Sequence, residues 1–147
     1  MKIVKPEVHV LLDNDQGMEL LRRIETAGRE CYKSCMARTP GGTIKFVRGL
    51  IEKDHTAMLE HASVSVEFIT DRGISHELVR HRVASFAQES TRYCNYSQDK
   101  FGNQITVIEP IWGQDPEWME SVAVAERAYF ELLSRGWSPE LARSVLP

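Results

Sequence analysis

The strictest pattern in the sequence is the stretch ASVSVEFI at residues 62–69, where apolar and polar side chains alternate. Alternation with a period of two places Val64, Val66 and Phe68 on one face, so the stretch predicts a β-strand. A strand pairs its backbone groups with other strands, so the fold must contain a sheet. Two other short stretches are predicted to be strands, EVHVLL at residues 7–12 and QITVIEP at residues 104–110.

Apolar residues at helical steps of three and four recur in four further stretches. These are residues 17–34, 43–53, 74–82 and 115–136. The last has the clearest end signals, with Asp115 as the cap, Pro116 at the first helical position and Gly136 just past the end. Breaks or irregular segments are predicted at residues 39–42, 54–61 and 84–103.

Length and composition bound the class of protein. A chain of 147 residues indicates one domain, residues 1–147, and 42% hydrophobic with 27% charged residues is typical of a soluble globular protein. The net charge of -3 argues against a general nucleic-acid binder, so anion binding should be local. No apolar run has the length of a bilayer span and no signal peptide begins the chain, which predicts a cytoplasmic protein without a membrane partner. Three cysteines, at positions 31, 35 and 94, do not predict a disulfide framework.

The last ten residues, SPELARSVLP at 138–147, contain a helix start signal followed by very little chain. A helix bearing Leu141, Val145 and Leu146 needs a surface to pack on, and a proline usually introduces a further element. We therefore expect the 147 residues to be an incomplete polypeptide.

The segment ELVRHRVASFAQESTRY, residues 77–93, concentrates positive charge in a chain that is acidic overall. Between Arg72 and Arg92 there are four arginines and no lysine. Guanidinium groups offer two parallel N–H donors that match two phosphate oxygens. Ser85, Ser90 and Thr91 add neutral donors, so the segment indicates an anionic ligand, with a nucleotide as the best fit.

The predicted helix through Arg82 limits how these arginines act. Two residues apart on a helix, Arg80 and Arg82 would point about 200° apart. They would then serve two ligands, or two sides of an extended one, rather than grip a single small anion. The alternative is a solvated basic helix end with Glu77 and His81 as a surface pair.

Other candidate sites have weaker signals. His55, Glu60 and His61 could bind a metal, but their spacing differs from HExxH and no third ligand is in register. Cys94 follows Arg92 closely, which could activate a thiol, yet no base is evident. The glycines match neither the dinucleotide-binding fingerprint nor the P-loop.

The stretch RHRVASFAQESTRY resembles the signature of the flavin-dependent thymidylate synthases: Arg-His-Arg, seven residues, Ser, and an Arg two positions beyond. The matching positions are Arg80, His81, Arg82, Ser90 and Arg92. HTAMLEH at residues 55–61 resembles the histidine-bearing loop of the family, and LARSVLP at 141–147 resembles its Ala-Arg-x-x-Leu-Pro segment. The resemblance runs through most of the chain, and the ends and residues 94–115 are its least distinctive parts.

The resemblance implies methylation of dUMP to dTMP, with methylenetetrahydrofolate as the carbon donor, NADPH as the reductant and FAD as the cofactor. It implies an α+β fold, with an antiparallel sheet and flanking helices, that is C-terminally truncated here because family chains continue past the Leu-Pro. It also implies a homotetramer that holds FAD and dUMP where subunits meet. No nucleic-acid partner and no metal are expected.

Site roles follow from the same resemblance. The expected FAD contacts are His55, Ala57, Glu60, Arg80, His81, Arg82 and Gln88. The expected dUMP contacts are Glu77, Arg80, Gln88, Glu89, Ser90, Thr91, Arg92 and Arg143. Catalysis is assigned to Arg80, Ser90, Arg92 and Arg143, which act by orientation and electrostatics while the flavin carries the hard chemistry. Ser90 is interpreted as a hydrogen-bonding ligand rather than a nucleophile.

Two positions depart from the family pattern, and two other functions stay open. Glu77 stands where some members have glutamine, and Ala57 stands where members can have a hydroxyl. The same arginine segment could instead belong to a nucleotide- or RNA-binding module, in which Tyr93 and Tyr96 stack on bases. A third possibility is an inactive, truncated relative of the enzyme.

Overall fold

The computed structural model describes residues 1–34 and 39–147, and these form two compact units. The N-terminal residues Met1–Glu7 and the segment Phe68–Pro147 make the first unit, and Val8–Glu67 makes the second. The expectation of a single domain stays a prediction. Cys35 lies outside the described residues.

The chain alternates short strands with helices of very different lengths. In chain order the elements are β1 (Lys2–Val4), β2 (Glu7–Val10), α1 (Asn14–Tyr32), α2 (Pro40–Glu52), a 3-10 segment (Thr56–His61), β3 (Val66–Ile69), α3 (Arg72–Leu78), a 3-10 segment (Asp99–Phe101), β4 (Thr106–Ile108), α4 (Pro116–Ser134), α5 (Pro139–Ala142) and a 3-10 segment (Arg143–Val145). Small sheets with flanking helices confirm the α+β class. Over residues 1–34 and 39–147, no helix combines the length and the apolar character needed to cross a bilayer.

The second unit is built on the packing of α1 against α2. Ile24 of α1 and Val47 and Leu50 of α2 are buried together and form its core. Gly28 lets the two helices approach closely, because a Cβ at that position would lie 2.8 Å from Cε1 of Phe46. A side chain at position 28 would clash with the Phe46 ring, so this position favours glycine.

A buried polar cluster also joins these two helices. Glu25 of α1 is fully buried; its carboxylate accepts a hydrogen bond from the Thr43 hydroxyl of α2 at 2.6 Å and pairs with Arg29 at 2.5 Å. The Arg29 guanidinium lies over the Phe46 ring, 4.7 Å from its centroid. A charge in this position is tolerated because it is both paired and hydrogen-bonded.

Helix boundaries in the second unit follow the capping chemistry more closely than the apolar pattern. Helix α1 begins at Asn14, three residues before the predicted start, because Asp13 and Gln16 form a reciprocal capping box. The predicted break at residues 39–42 is wrong: Thr39 caps α2 by accepting from Gly42 N, and Pro40 takes the first helical position.

In the first unit, β1 pairs with β4 in parallel, with Ile3 opposite Val107. The antiparallel sheet expected from the resemblance is therefore wrong for this pair. A parallel pair needs a long crossover between its strands, and here β1 begins at Lys2 whereas β4 begins only at Thr106. Val107 belongs to a buried cluster that also contains Ile105, Val122, Tyr129 and Ala142.

The end signals predicted for helix α4 are confirmed. Asp115 accepts hydrogen bonds from the backbone N–H groups of Glu117 and Trp118, and Pro116 begins the helix. Gly136, just past the end, has a φ of +88°, in the left-handed region that favours glycine. Ala142 of α5 is buried against this helix, so the segment after Ser138 does pack on the unit.

The strand predicted at residues 62–69 is confirmed for its second half alone. The strand β3 begins only at Val66, and Val64 and Phe68 keep 51% and 46% of their surface exposed. Strand β3 pairs only with β2, in a two-stranded sheet among the described residues. Two strands without a covering layer offer too little surface to bury a face.

Candidate functional site

The Arg-His-Arg segment lies beyond the end of a helix. Helix α3 stops at Leu78, and turn hydrogen bonds follow, from Arg80 N to the Glu77 carbonyl at 3.1 Å and from His81 N to the Leu78 carbonyl at 3.1 Å. The predicted helix through Arg82 is therefore wrong, since Val79 has no apolar surface to pack on and remains 45% exposed. The inference that Arg80 and Arg82 point in opposite directions loses its basis with that helix.

The side chains of the Arg-His-Arg segment are exposed, and their N–H donors have no partners among the described residues. Arg80, His81 and Arg82 are all exposed, and no ion pair or side-chain hydrogen bond involves them in the part of the chain that the structure describes. Val83, next in the chain, is fully exposed. Unpaired guanidinium groups of this kind can bind phosphate oxygens without first breaking an internal contact.

Residues 88–92 are held from several sides within the first unit. The Gln88 side-chain amide donates to the Ser75 hydroxyl of α3 at 3.0 Å. The Tyr96 hydroxyl donates to the Glu89 carboxylate at 2.5 Å. The Ser90 carbonyl accepts from the backbone N–H of Tyr93 at 3.1 Å and of Cys94 at 2.9 Å. These hydrogen bonds fix the backbone path of residues 88–92, which form no regular helix or strand.

The end of this segment meets the C-terminal residues. Arg143, in the last 3-10 segment, donates from Nη1 to the Thr91 hydroxyl at 3.2 Å, across 52 positions of sequence. Arg92 pairs through Nε with the Glu140 carboxylate of α5 at 3.2 Å, and its guanidinium lies 5.4 Å from the Tyr93 ring centroid. Two arginines and a hydroxyl from distant parts of the sequence therefore share one region.

Aromatic residues support this region from beneath. The Tyr96 backbone N–H donates to the hydroxyl of Tyr129 at 3.4 Å, and Tyr129 is completely buried. Burial, reinforced by the hydrogen bond to the Glu89 carboxylate, raises the pKa of Tyr96 well above its usual range. Burial also raises the pKa of Tyr129. Both groups are therefore neutral donors or acceptors at ordinary pH.

In the second unit, His55 lies at the edge of an open groove of about 360 Å³. Its Nδ1 is 3.2 Å from the Tyr32 hydroxyl, and its backbone N–H donates to the Leu50 carbonyl at 2.8 Å. Asp54, just before it, has a φ of +57°, a strained backbone that turns the chain out of α2. Ala57 also lines the groove, whereas Glu60 is exposed on the following 3-10 segment.

No three potential metal ligands come together anywhere in residues 1–34 and 39–147. The metal alternative at His55, Glu60 and His61 therefore has no geometric support. Cys31 and Cys94 are free thiols.

Comparison with known proteins decides the family. Residues 11–147 match the family model described as thymidylate synthase complementing protein. The flavin-dependent thymidylate synthase of Mycobacterium avium is 36% identical over 141 residues, which cover 90% of this chain and 53% of the relative. The chain belongs to the flavin-dependent thymidylate synthase family.

Other relatives agree in name and in coverage. The flavin-dependent thymidylate synthase of Mycobacterium marinum is 38% identical over 90% of this chain and 53% of its own length. That of Mycobacteroides abscessus is 33% identical over 99% of this chain and 64% of its own length. The chain thus spans about half the length of the first two relatives.

A solved structure shares the fold. A UMP/dUMP methylase, PolB, from Streptomyces cacaoi, determined with 5-Br dUMP bound, superposes with a TM-score of 0.63 at 23% identity. The match covers 100% of this chain and 70% of that protein. At this identity the likeness supports the fold alone.

The family-implied residues divide between the two units. His55, Ala57 and Glu60 lie in the second unit, and all the others lie in the first. Within the first unit, contacts join Thr91 to Arg143 but do not include Glu77, which is exposed on α3. Each unit therefore carries its own part of the expected site.

Sequence reasoning missed the pairing of Glu140 with Arg92 and that of Tyr96 with Glu89. Glu140 stands three positions before Arg143, so the helical start at Ser138 could have placed both on one side of a single turn. For Tyr96 the sequence shows only an aromatic residue in a polar segment, which carries no signal for its partner Glu89.

Proposed function

We propose that this chain takes part in the reductive methylation of dUMP to dTMP, with methylenetetrahydrofolate as carbon donor, NADPH as reductant and FAD as cofactor. The observation that carries the proposal is the convergence of Thr91, Arg92 and Arg143 in a chain of this family. The names of the relatives support it. A homotetramer and a cytoplasmic location belong to the proposal as predictions from the family.

The donor set suits a dinucleotide cofactor. Arg80, His81 and Arg82 are exposed and keep their donors free of partners within the described residues, as a pyrophosphate ligand requires. His55 and Ala57 line a groove with apolar walls, which suits a ring system. FAD, when bound, would supply the redox chemistry of the reaction.

The dUMP side needs fixed positive charge. Arg92 and Arg143 would hold the phosphate and the uracil carbonyl oxygens, where a cation stabilises negative charge as C5 becomes nucleophilic. Glu140 and Thr91 limit the rotation of these two guanidinium groups. Gln88 and Glu89, themselves held by Ser75 and Tyr96, would set the position of the ring.

Ser90 is assigned to binding and not to nucleophilic attack. No base hydrogen-bonds to its hydroxyl anywhere in the described parts of the chain. A serine without an adjacent base is a weak nucleophile, whereas its O–H can donate to a phosphate or a carbonyl oxygen.

The test is direct binding and turnover with the chain as it stands. We expect purified protein to bind FAD, detected by flavin absorbance, and dUMP, detected by calorimetry. NADPH oxidation that requires both dUMP and methylenetetrahydrofolate would establish the reaction. Protein that is folded by circular dichroism and binds neither ligand would contradict the proposal. Binding without turnover would identify the inactive-relative alternative.

One observation favours the RNA-binding alternative. Tyr93 is 78% exposed with the Arg92 guanidinium over its ring, a surface on which a base can stack. Such a module would bind single-stranded RNA with an affinity that falls steeply with salt. RNA binding that survives in the presence of saturating dUMP would favour this alternative over the enzyme.

A further inference from the structure

Tyr96 is the residue through which the irregular segment 88–92 reaches the core of the first unit. Its hydroxyl donates to Glu89 at 2.5 Å, a short distance of the kind found between a hydroxyl and a carboxylate. Glu89 belongs to segment 88–92, which is assigned to dUMP binding, and it is an exposed residue. The hydroxyl therefore connects a surface segment to whatever holds the Tyr96 ring.

The Tyr96 ring and backbone are held by buried groups. The ring meets Phe101 edge to face, with centroids 5.5 Å apart, and lies 5.9 Å from the ring of Tyr129. Its backbone N–H donates to the Tyr129 hydroxyl at 3.4 Å. Tyr129 is fully buried and packs at the centre of the first unit with Ile105 and Val122. Packing against these residues therefore holds the Tyr96 ring rigidly on the side away from Glu89.

The side-chain contacts of Gln88 and Arg92, at the two ends of segment 88–92, do not reach the core in this way, whereas Thr91 bonds to the part-buried Arg143. Gln88 bonds to Ser75 on an exposed face of α3, and Arg92 bonds to Glu140 in a pair whose side chains are about half exposed. Pairs of this kind restrain a segment weakly, because water and salt compete for both partners. The Tyr96–Glu89 bond differs in having a partly buried donor with a fixed ring.

We propose that Tyr96 is a positioning residue, which ties the segment 88–92 to the core through Glu89 and so fixes the side chains that bind the pyrimidine nucleotide. The inference rests on the proposed function for its ligand, dUMP. The Tyr96 hydroxyl acts as a tether. Without it, residues 88–92 sample more conformations, and dUMP binding must then order them, which lowers the affinity for dUMP.

Tyr96→Phe tests the tether, because phenylalanine keeps the ring packing and removes only the hydroxyl. We expect dUMP affinity, measured by calorimetry, to fall roughly tenfold, since one hydrogen bond to a charged acceptor is lost. We also expect faster hydrogen exchange at the Tyr93 and Cys94 amides, which close the turn on Ser90, with unchanged exchange in the middle of α4. Ser97→Ala is the matched control, because its hydroxyl bonds only to Asn95 in the same turn.

A double-mutant cycle separates the tether from simple packing. In a Glu89→Ala background, Tyr96→Phe should cause no further loss of dUMP affinity, because the partner is already gone. A loss of the same size in both backgrounds would show that the hydroxyl does not act through Glu89. Unchanged dUMP affinity and unchanged exchange in Tyr96→Phe would overturn the proposal. If the parent chain binds no dUMP, the proposed function fails, and the amide exchange of Tyr96→Phe alone decides whether the tether exists.

Discussion

Arg92 is shared between a carboxylate, an aromatic ring and, in the proposed function, a nucleotide. Its pair with Glu140 has side chains 51% and 48% exposed, so it contributes little to folding. Arg92→Ala should therefore lower the free energy of unfolding by less than about 1 kcal/mol. The same change should weaken dUMP binding by about 10- to 100-fold, since a charge-assisted hydrogen bond is lost.

The matched control for Arg92→Ala is Arg127→Ala. Arg127 is an exposed arginine on α4 that pairs at 3.5 Å with Glu120 on the same helix. It should leave both stability and dUMP binding close to those of the parent, as judged by urea denaturation and calorimetry. Equal loss of dUMP affinity in both variants would mean that only overall charge matters.

Cys94 is the remaining nucleophile near the proposed substrate. Its backbone N–H closes the turn on Ser90, and no contact activates its thiol within the described residues. Cys94→Ala should keep dUMP-dependent NADPH oxidation within about twofold of the parent, because the chemistry belongs to the flavin. Abolished turnover in a variant that still binds dUMP normally would overturn this mechanism and assign a covalent role to the thiol.

At the scale of elements, the α1–α2 pair depends on the buried carboxylate of Glu25. Thr43→Val replaces its hydroxyl donor by a methyl group of the same shape and leaves the carboxylate with fewer partners. We expect the free energy of unfolding, measured by urea denaturation, to fall by about 1 to 3 kcal/mol. Thr26→Val on α1 is the control, since its hydroxyl only bonds back to the Arg22 carbonyl. Equal effects of the two changes would show that the loss of a helix hydroxyl in general, not of the buried bond to Glu25, decides the cost.

Elements whose signals are local could be predicted from the sequence. Helix α4 carries its own cap, first-position proline and terminal glycine, and it was predicted within two residues of its bounds. The end of helix α3 was predicted four residues too late, because the apolar spacing at Ile74 and Leu78 does not reveal that Val79 has nothing to pack on. The parallel pairing of β1 with β4 has no local signal at all.

In the candidate site, too, contacts between residues far apart in the sequence could not be predicted. The spacing in RHRVASFAQESTRY and LARSVLP identified the residue types, but the contact of Thr91 with Arg143 spans 52 positions and follows only from packing. The Glu140 and Tyr96 partners are absent from the pattern because they hold the arginine segment rather than form it. Sequence patterns therefore predict which groups meet a ligand better than they predict which groups support them.

At the scale of the whole molecule, pH dependence should report the two buried phenols. Folding raises the pKa of Tyr96, through burial and then the Glu89 carboxylate, and raises that of Tyr129 through burial. A raised pKa means that the protonated form is favoured in the folded state, so this stability is fully present below the ordinary tyrosine pKa of about 10. It is lost as the pH rises above that value, because the unfolded chain releases its phenol protons first.

We therefore expect the free energy of unfolding to decline as the pH rises above about 10, and the Tyr96→Phe variant to decline less steeply. Urea denaturation at a series of alkaline pH values measures this slope, and the ultraviolet absorbance of phenolate follows the titration itself. Tyr93→Phe is the control, because Tyr93 lies on the surface and its loss should leave the decline unchanged. A decline as steep in Tyr96→Phe as in the parent would mean that the Tyr96 phenol ionises as readily in the folded state as in the unfolded chain.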